Sequence, residues 1–251
     1  MFHVKHSCDT ADERSALVER YGLASNAASQ LRALLDTLEA DPHAPTTVRD
    51  PHEAVDVHLA DSLVALELPD VRDACALADL GAGAGFPGLA LAVALPSAAV
   101  TLVESNARKC DFIRKAAAAA GLRNVQVVAE RAESWAEGVG RCDVVTARAL
   151  APLAVIAEYA APLLRDRGVV VAWKGRRERD EEQAASRAAA ELGLELELVV
   201  PVAPYTGAAH RHLHVLRKVA PTPERFPRRP GSARKRPLGA GKRATSDRAR
   251  D

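Results

Sequence analysis

Apolar positions divide the chain into three stretches of different periodicity. Between residues 9 and 40, Leu17, Val18, Tyr21, Leu31, Leu34, Leu35 and Leu38 recur at helical spacing with a break near Gly22, and a second helix is predicted over about 51–66. From residue 75 the pattern changes to short apolar runs that alternate with helical ones. Strands are predicted at 75–80, 99–103, 125–128, 144–146 and 169–173, and helices at 89–95, 106–120, 153–164 and 179–192. Such alternation predicts an α/β fold with a doubly wound, mostly parallel sheet. Two further strand-like runs, 194–200 and 212–219, are joined by Pro201-Val202-Ala203-Pro204-Tyr205-Thr206-Gly207 and predict a closing antiparallel hairpin. The expected organisation is an N-terminal helical cap over 1–70, a main domain over 71–219 and a tail over 220–251.

The first strand runs into Asp79-Leu80-Gly81-Ala82-Gly83-Ala84-Gly85-Phe86-Pro87-Gly88 before its helix begins. Glycines there permit a tight turn with positive φ and leave room for a ligand, while the helix start offers unpaired N–H groups. The spacing Gly83-x-Gly85-x-x-Gly88 also fits a dinucleotide fingerprint, so the glycines alone do not select the ligand. Asp79 argues against a pyrophosphate, which a carboxylate repels, and for a cationic ligand without phosphate such as the methionine end of S-adenosylmethionine. The Asp-x-Gly-x-Gly-x-Gly pattern resembles the first motif of class I methyltransferases. Glu104, 23 residues past Gly81 at the end of the second strand, is placed to accept ribose hydroxyls, a geometry shared with nicotinamide enzymes. The closing hairpin favours the methyltransferase sheet.

Site residues are expected in the loops at the carboxyl ends of the strands. In Glu130-Arg131-Ala132-Glu133 a main-chain amide and a carboxylate could read an adenine edge. Arg148, in Thr146-Ala147-Arg148-Ala149, offers a planar fork for carboxylate or phosphate, and Lys174, in Trp173-Lys174-Gly175-Arg176-Arg177, a point charge on the same rim. No Asn/Asp-Pro-Pro-Tyr/Phe follows the fourth strand, which disfavours methylation of an exocyclic base amine. Cys142 stands at the wrong end of that strand to serve as a nucleophile for pyrimidine C5. Guanine N7 would need neither, because its in-plane lone pair attacks without losing a proton.

Composition narrows the setting. With 251 residues, 48% of them apolar, the chain can bury one large core. Its apolar runs are too short to span a membrane, and Met1-Phe2-His3-Val4-Lys5-His6 lacks a signal-peptide core, so a soluble cytoplasmic protein is expected; separately, a monomer is expected. The segment Phe2-His3-Val4-Lys5-His6 has no assigned role. Cys8, Cys75, Cys110 and Cys142 are dispersed and predict neither a metal site nor a disulfide framework. From Ala220 onward ten basic residues face three acidic ones, so a flexible arm carrying +7 follows a body of −6 and would track RNA or DNA phosphates.

Taken with Arg131-Ala132-Glu133, Thr146-Ala147-Arg148-Ala149, Trp173-Lys174-Gly175 and Phe226-Pro227-Arg228-Arg229-Pro230-Gly231, the run from Leu80 to Gly88 resembles the bacterial RsmG (GidB) family over roughly 17–238. The resemblance implies a class I S-adenosylmethionine-dependent methyltransferase fold without metal, acting on N7 of one guanine, 527 in standard numbering, in 16S rRNA or a small-subunit assembly particle. It also implies cofactor contacts at Gly81, Phe86, Ala132, Glu133 and Arg148. His58, Asp61 and Ser62, in Val57-His58-Leu59-Ala60-Asp61-Ser62, resemble the family's His-x-x-Asp-Ser element near the substrate entrance. Ala44-Pro45-Thr46-Thr47-Val48-Arg49-Asp50-Pro51 departs from the family's usual Trp-Asn-Leu-Thr before the Arg-Asp-Pro turn. A methyltransferase for a small molecule or protein and a nicotinamide-dependent oxidoreductase are the competing functions.

Overall fold

The computed structural model describes residues 4–239. At its centre lies a seven-stranded sheet in the order β3-β2-β1-β4-β5-β7-β6. These strands are β1 (Ala76–Leu80), β2 (Ala99–Val103), β3 (Val125–Val128), β4 (Cys142–Arg148), β5 (Leu164–Lys174), β6 (Leu194–Val202) and β7 (Arg211–Lys218). The first five run parallel, and β7 is inserted antiparallel between β5 and β6. The strand order reverses at β1 and β4, and there the carboxyl edge of a doubly wound sheet opens into a crevice.

Parity along each strand separates two cores. Leu77, Val100, Leu102, Val144, Val169 and Val171 face one side, whereas Ala78, Leu80, Val103, Val145, Val170 and Ala172 face the other. The first face packs against α2 (Ala27–Ala40), α6 (Gly88–Ala94) and α7 (Ala107–Ala119), whose Leu31, Leu34, Leu89, Leu91 and Ile113 are fully buried. The second packs against α8 (Leu153–Ala160) and α9 (Arg179–Leu192). Both faces being covered explains why the strands read as continuous apolar runs.

The expected cap is one of these flanking layers. Behind α1 (Val4–Tyr21) and α2, residues 51–67 follow one helical path in four successive geometries: α3 (Pro51–Ala54), a π turn (Val55–Ala60), α4 (Asp61–Leu63) and a 3₁₀ turn (Val64–Glu67). Asp50 caps its start by accepting from the His52 and Glu53 amides, with Pro51 at the first helical position. Inside the π turn the Asp61 amide reaches Asp56 O, five residues back. That releases Val57 O from the ladder. A short α5 (Pro69–Arg72) then leads into β1.

Two expectations are corrected. The helix predicted over 153–164 stops at Ala160, and β5 starts at Leu164 rather than residue 169. Pro162 disfavours helical continuation, and the terminal carbonyls of Ala161 and Leu164 are taken by Lys218 Nζ, with Thr222 Oγ1 also on Ala161 O. The polar Arg165-Asp166-Arg167-Gly168 within β5 reads as a turn in sequence.

Second, residues 220–239 are not a free arm. Phe226 and Ala233 are buried against α8 and α9, and α10 (Ser232–Lys235) forms a short turn there. Lys242, Arg243, Arg248 and Arg250 of the tail, like Phe2 and His3, lie outside the described residues. No helix among the described residues is long and apolar enough to cross a membrane.

A candidate cofactor cleft and an adjoining basic pocket

A cleft of about 360 Å³ opens at the carboxyl ends of β1, β2 and β4, lined among others by Gly81, Glu104, Ala132, Glu133, Tyr159 and Arg234. Gly81 has φ +65°, and a Cβ there would stand 2.5 Å from Leu150 Cδ1. A side chain at this position would push Leu150, itself part of the cleft wall, into the space a ligand would occupy. Gly83 follows the same turn and donates to Glu104 Oε2 at 3.1 Å, while Asn106 N donates to Glu104 Oε1 at 2.8 Å. Glu104 is 7% exposed, so these two amides fix its carboxylate against the cleft. Opposite, Glu133 Oε1 accepts from Gly231 N at 2.9 Å, and Ala132 opens the 3₁₀ turn that carries it.

Gly85 and Asp79 have other duties than the sequence predicts. Gly85 has φ +93°, and a Cβ there would collide with Leu89 and lie 3.6 Å from Ile113 Cγ1, so this glycine serves helix packing and the turn rather than ligand approach. Asp79 shares the parity of Leu77 and points under the start of α6, 1% exposed. Its carboxylate accepts from Gly88 N and Thr146 Oγ1, each at 2.9 Å. Burial pushes its pKa up to about 6, opposed by those hydrogen bonds. Asp79 thus braces the glycine turn against β4 and does not line the cleft.

Arg148 also departs from expectation, lining a second pocket of about 400 Å³ together with Val57, Asp61, Trp173, Lys174 and Arg211. Its Nη1 donates to Val57 O at 2.7 Å and to Asp61 Oδ2 at 2.9 Å. The carbonyl released by the π turn is therefore half of the guanidinium's anchor. Trp173 Nε1 donates to Asp61 O at 2.6 Å, and Lys174 pairs with Glu181 at 2.6 Å. Arg211 Nε stands 3.7 Å from Asp61 Oδ1. Ala149 borders both pockets, so they meet at the end of β4.

Phe86 and His58 form a stacked pair, ring centroids 4.8 Å apart, within the core and outside both pockets. His58 meets Thr46 Oγ1 at 3.0 Å, and burial followed by the Arg148 charge lowers its pKa to about 4, so the imidazole is neutral. Thr46 belongs to the segment that departs from the family pattern. Ser62 Oγ donates to His58 O at 2.6 Å and is fully buried, which makes it a brace of the π turn. Of the three residues the resemblance places near the substrate entrance, Asp61 reaches the second pocket, whereas His58 and Ser62 support it; Lys174, expected on the strand-end rim, also lines that pocket.

Sequence reasoning missed Tyr159, Arg234 and Arg211. Arg211 comes beside Lys174 only through the β5–β7 register, Lys174 opposite His212. Arg234 was legible only as tail charge.

A sheet with an antiparallel β7 between β5 and β6, a glycine turn after β1 and an acid closing β2 define a class I S-adenosylmethionine-dependent methyltransferase fold. The relatives are narrower than that class. Residues 27–213 match the family GidB, rRNA small subunit methyltransferase G, and the chain belongs to that family. It is similar to the ribosomal RNA small subunit methyltransferase G of Chloroflexus aggregans, 45% identical over 161 residues that cover 63% of this chain and 67% of that one. The proteins of the same name from Rubrobacter xylanophilus and Deinococcus radiodurans are 44% and 46% identical, covering 64% and 63% of this chain and 64% of each relative. The aligned part thus spans about two thirds of these relatives' length.

Proposed function

We propose that this protein transfers the methyl group of S-adenosylmethionine to N7 of a single guanine in 16S rRNA. Family membership supports the substrate class, and the observation that carries the chemistry is the meeting at Ala149 of a cleft that holds Glu104 and Glu133 and a pocket that holds Arg148, Lys174 and Arg211. When bound, S-adenosylmethionine supplies an electrophilic methyl group on a sulfonium.

The residues of the cleft fit its adenosine. A carboxylate has about four lone-pair sites, so Glu104 can hold the Gly83 and Asn106 amides and still accept from ribose hydroxyls. Glu133 and the backbone beside Ala132 suit an adenine edge, and Gly81 keeps the floor clear. Across Ala149, Arg211 and the N–H groups of Arg148 and Lys174 beyond those that hold Asp61 and Glu181 suit RNA phosphate or a guanine carbonyl, with Trp173 as an apolar wall.

N7 carries no proton, so the chain must orient the base and exclude water rather than supply a general base. The two acid–base pairs at the second pocket, Asp61 with Arg148 and Lys174 with Glu181, are tied up in ion pairs. Cys75, Cys110 and Cys142 do not support a thiolate route: burial raises the pKa of Cys110 and pushes that of Cys142 up to about 12, and Cys75 precedes β1 at the opposite edge of the sheet. The reaction is assigned to a cytoplasmic monomer acting on 16S rRNA, naked or in a small-subunit assembly particle.

Purified protein with labelled S-adenosylmethionine should methylate 16S rRNA or the small-subunit particle and leave 23S rRNA and tRNA unlabelled. Borohydride and aniline scission should then cut at one guanine. Label on an exocyclic amine, a ribose or a protein, without that cleavage, overturns the reading.

A further inference from the structure

Residues 226–238 lie beyond the matched stretch 27–213, although the run from Phe226 to Gly231 is among those that carry the family resemblance, and they have no part in the chemistry above. They reach the cleft nonetheless. Arg234 lines it, and its Nη2 donates to Leu150 O at 3.1 Å. Leu150 is the side chain against which Gly81 is pressed. Gly231 N holds Glu133 Oε1. The segment is in turn fastened behind the cleft by Arg228, whose Nε donates to Glu158 Oε1 at 2.7 Å while Nη2 donates to Glu158 Oε2 and to Arg236 O. Glu158 is 1% exposed, so this fork fixes a buried carboxylate in one orientation. Phe226 adds a buried apolar anchor on the same side.

We propose that residues 226–238 form a strap that completes the cofactor cleft, with Arg234 a direct contact of the bound adenosyl group and Arg228 a positioning residue acting through Glu158. The inference rests on the cleft being the S-adenosylmethionine site. Without the strap, Glu133 loses the amide that aims it and the Leu150 wall loses its tie to Arg234. A ligand touching both Glu133 and Arg234 must, by linkage, also hold the strap down.

The test is calorimetric titration of the full chain with S-adenosylhomocysteine, with unfolding curves for each variant. Arg234→Gln removes one charged donor at the cleft and should weaken binding about tenfold. Arg228→Lys keeps the charge over Glu158 but loses the fork. It should raise the KM for S-adenosylmethionine severalfold while leaving kcat at saturating cofactor near the wild-type value, a split that general destabilisation does not produce. Arg32→Ala is the control, since Arg32 pairs with the exposed Asp36 on α2 and touches neither the cleft nor the strap, and it should bind as wild type. In the wild type, S-adenosylhomocysteine should slow tryptic cleavage within the strap. Folded Arg234→Gln and Arg228→Lys proteins with unchanged affinity and KM would overturn the strap while leaving the cofactor site standing. Failure of the wild type to bind S-adenosylhomocysteine would overturn the site and the strap together.

Discussion

Replacing Arg148 separates the two pockets experimentally. Its side chain is 16% exposed and that of Asp61 6%, so the pair is nearly withdrawn from water. Arg148→Ala leaves the Asp61 carboxylate with Arg211 Nε at 3.7 Å, beyond hydrogen-bond range, and leaves Val57 O without its donor. Breaking a buried pair by removing one partner costs about 3–5 kcal/mol. Because the second pocket admits water and Arg211 can shift, we expect about 3 kcal/mol here. Removing both partners abolishes the stranded charge, so the Asp61→Ala/Arg148→Ala protein should be more stable than the sum of the single variants predicts, with a coupling of about 2 kcal/mol. Urea denaturation at pH 7, with m-values compared across the cycle, measures this. Since Arg148 lines the second pocket, which we assign to the guanine, affinity for S-adenosylhomocysteine should fall by less than about threefold while methylation collapses. A coupling below about 0.5 kcal/mol would show that the pair does not hold the π turn to β4. A folded Arg148→Ala protein that loses S-adenosylhomocysteine would place the residue in the cofactor cleft, as the family resemblance implies, and refute the pocket assignment.

Glu104→Gln keeps the shape but turns an amide NH₂ toward either the Gly83 or the Asn106 N–H, and should cost about 2 kcal/mol of stability and weaken S-adenosylhomocysteine about tenfold in titration; unchanged affinity would remove Glu104 from the ribose role. Gly85→Val combines φ +93° with a collision against Leu89 and should destabilise by about 3 kcal/mol in urea melts, and a fully stable variant would contradict the packing role. His58 and Asp79 act oppositely on pH dependence. The native pKa of His58, about 4, lies below the unfolded value of 6.5, so the unfolded chain takes up the proton first and stability falls as pH drops through that window, by about 2 kcal/mol at pH 5. The native pKa of Asp79, about 6, lies above the unfolded 3.8, so stability rises as pH falls from 6 towards 4. Melts between pH 7 and 5 should therefore show His58→Gln less acid-sensitive than wild type and Asp79→Asn more so; identical profiles would refute both burial assignments.

The predicted strands at 99–103 and 125–128 and the helix at 179–192 coincide with β2, β3 and α9, because apolar residues flanked by polar ones there obey one period. Legibility fails where tertiary partners decide. The Arg165-Asp166-Arg167-Gly168 run falls within β5 only as a bulge, with Arg167 at φ +64°, because Leu164 pairs with Cys142 and Val169 with Val144, contacts between residues far apart in sequence. The tail's ten cations read as a solvated arm, but Arg228 finds a buried glutamate on α8 whose partner the sequence does not advertise. For Asp79 the clue was present: its parity with Leu77 directs it beneath α6, away from the crevice. The position of Glu104 at the cleft was legible because it needs only the end of one strand and the following turn. Arg211 needed the register of a hairpin.

The π turn at 55–60 has an evolutionary consequence. A five-residue turn accommodates one residue more than the α ladder it interrupts, while Val55, Leu59 and Leu63 on either side keep their buried faces. Excising a single codon, that of Asp56 for instance, would restore ordinary helix and return the next amide to Val57 O, taking that carbonyl away from Arg148. Gain or loss of the guanidinium's anchor is thus one insertion or deletion away, a change that no point substitution reproduces and that leaves the hydrophobic pattern on either side intact.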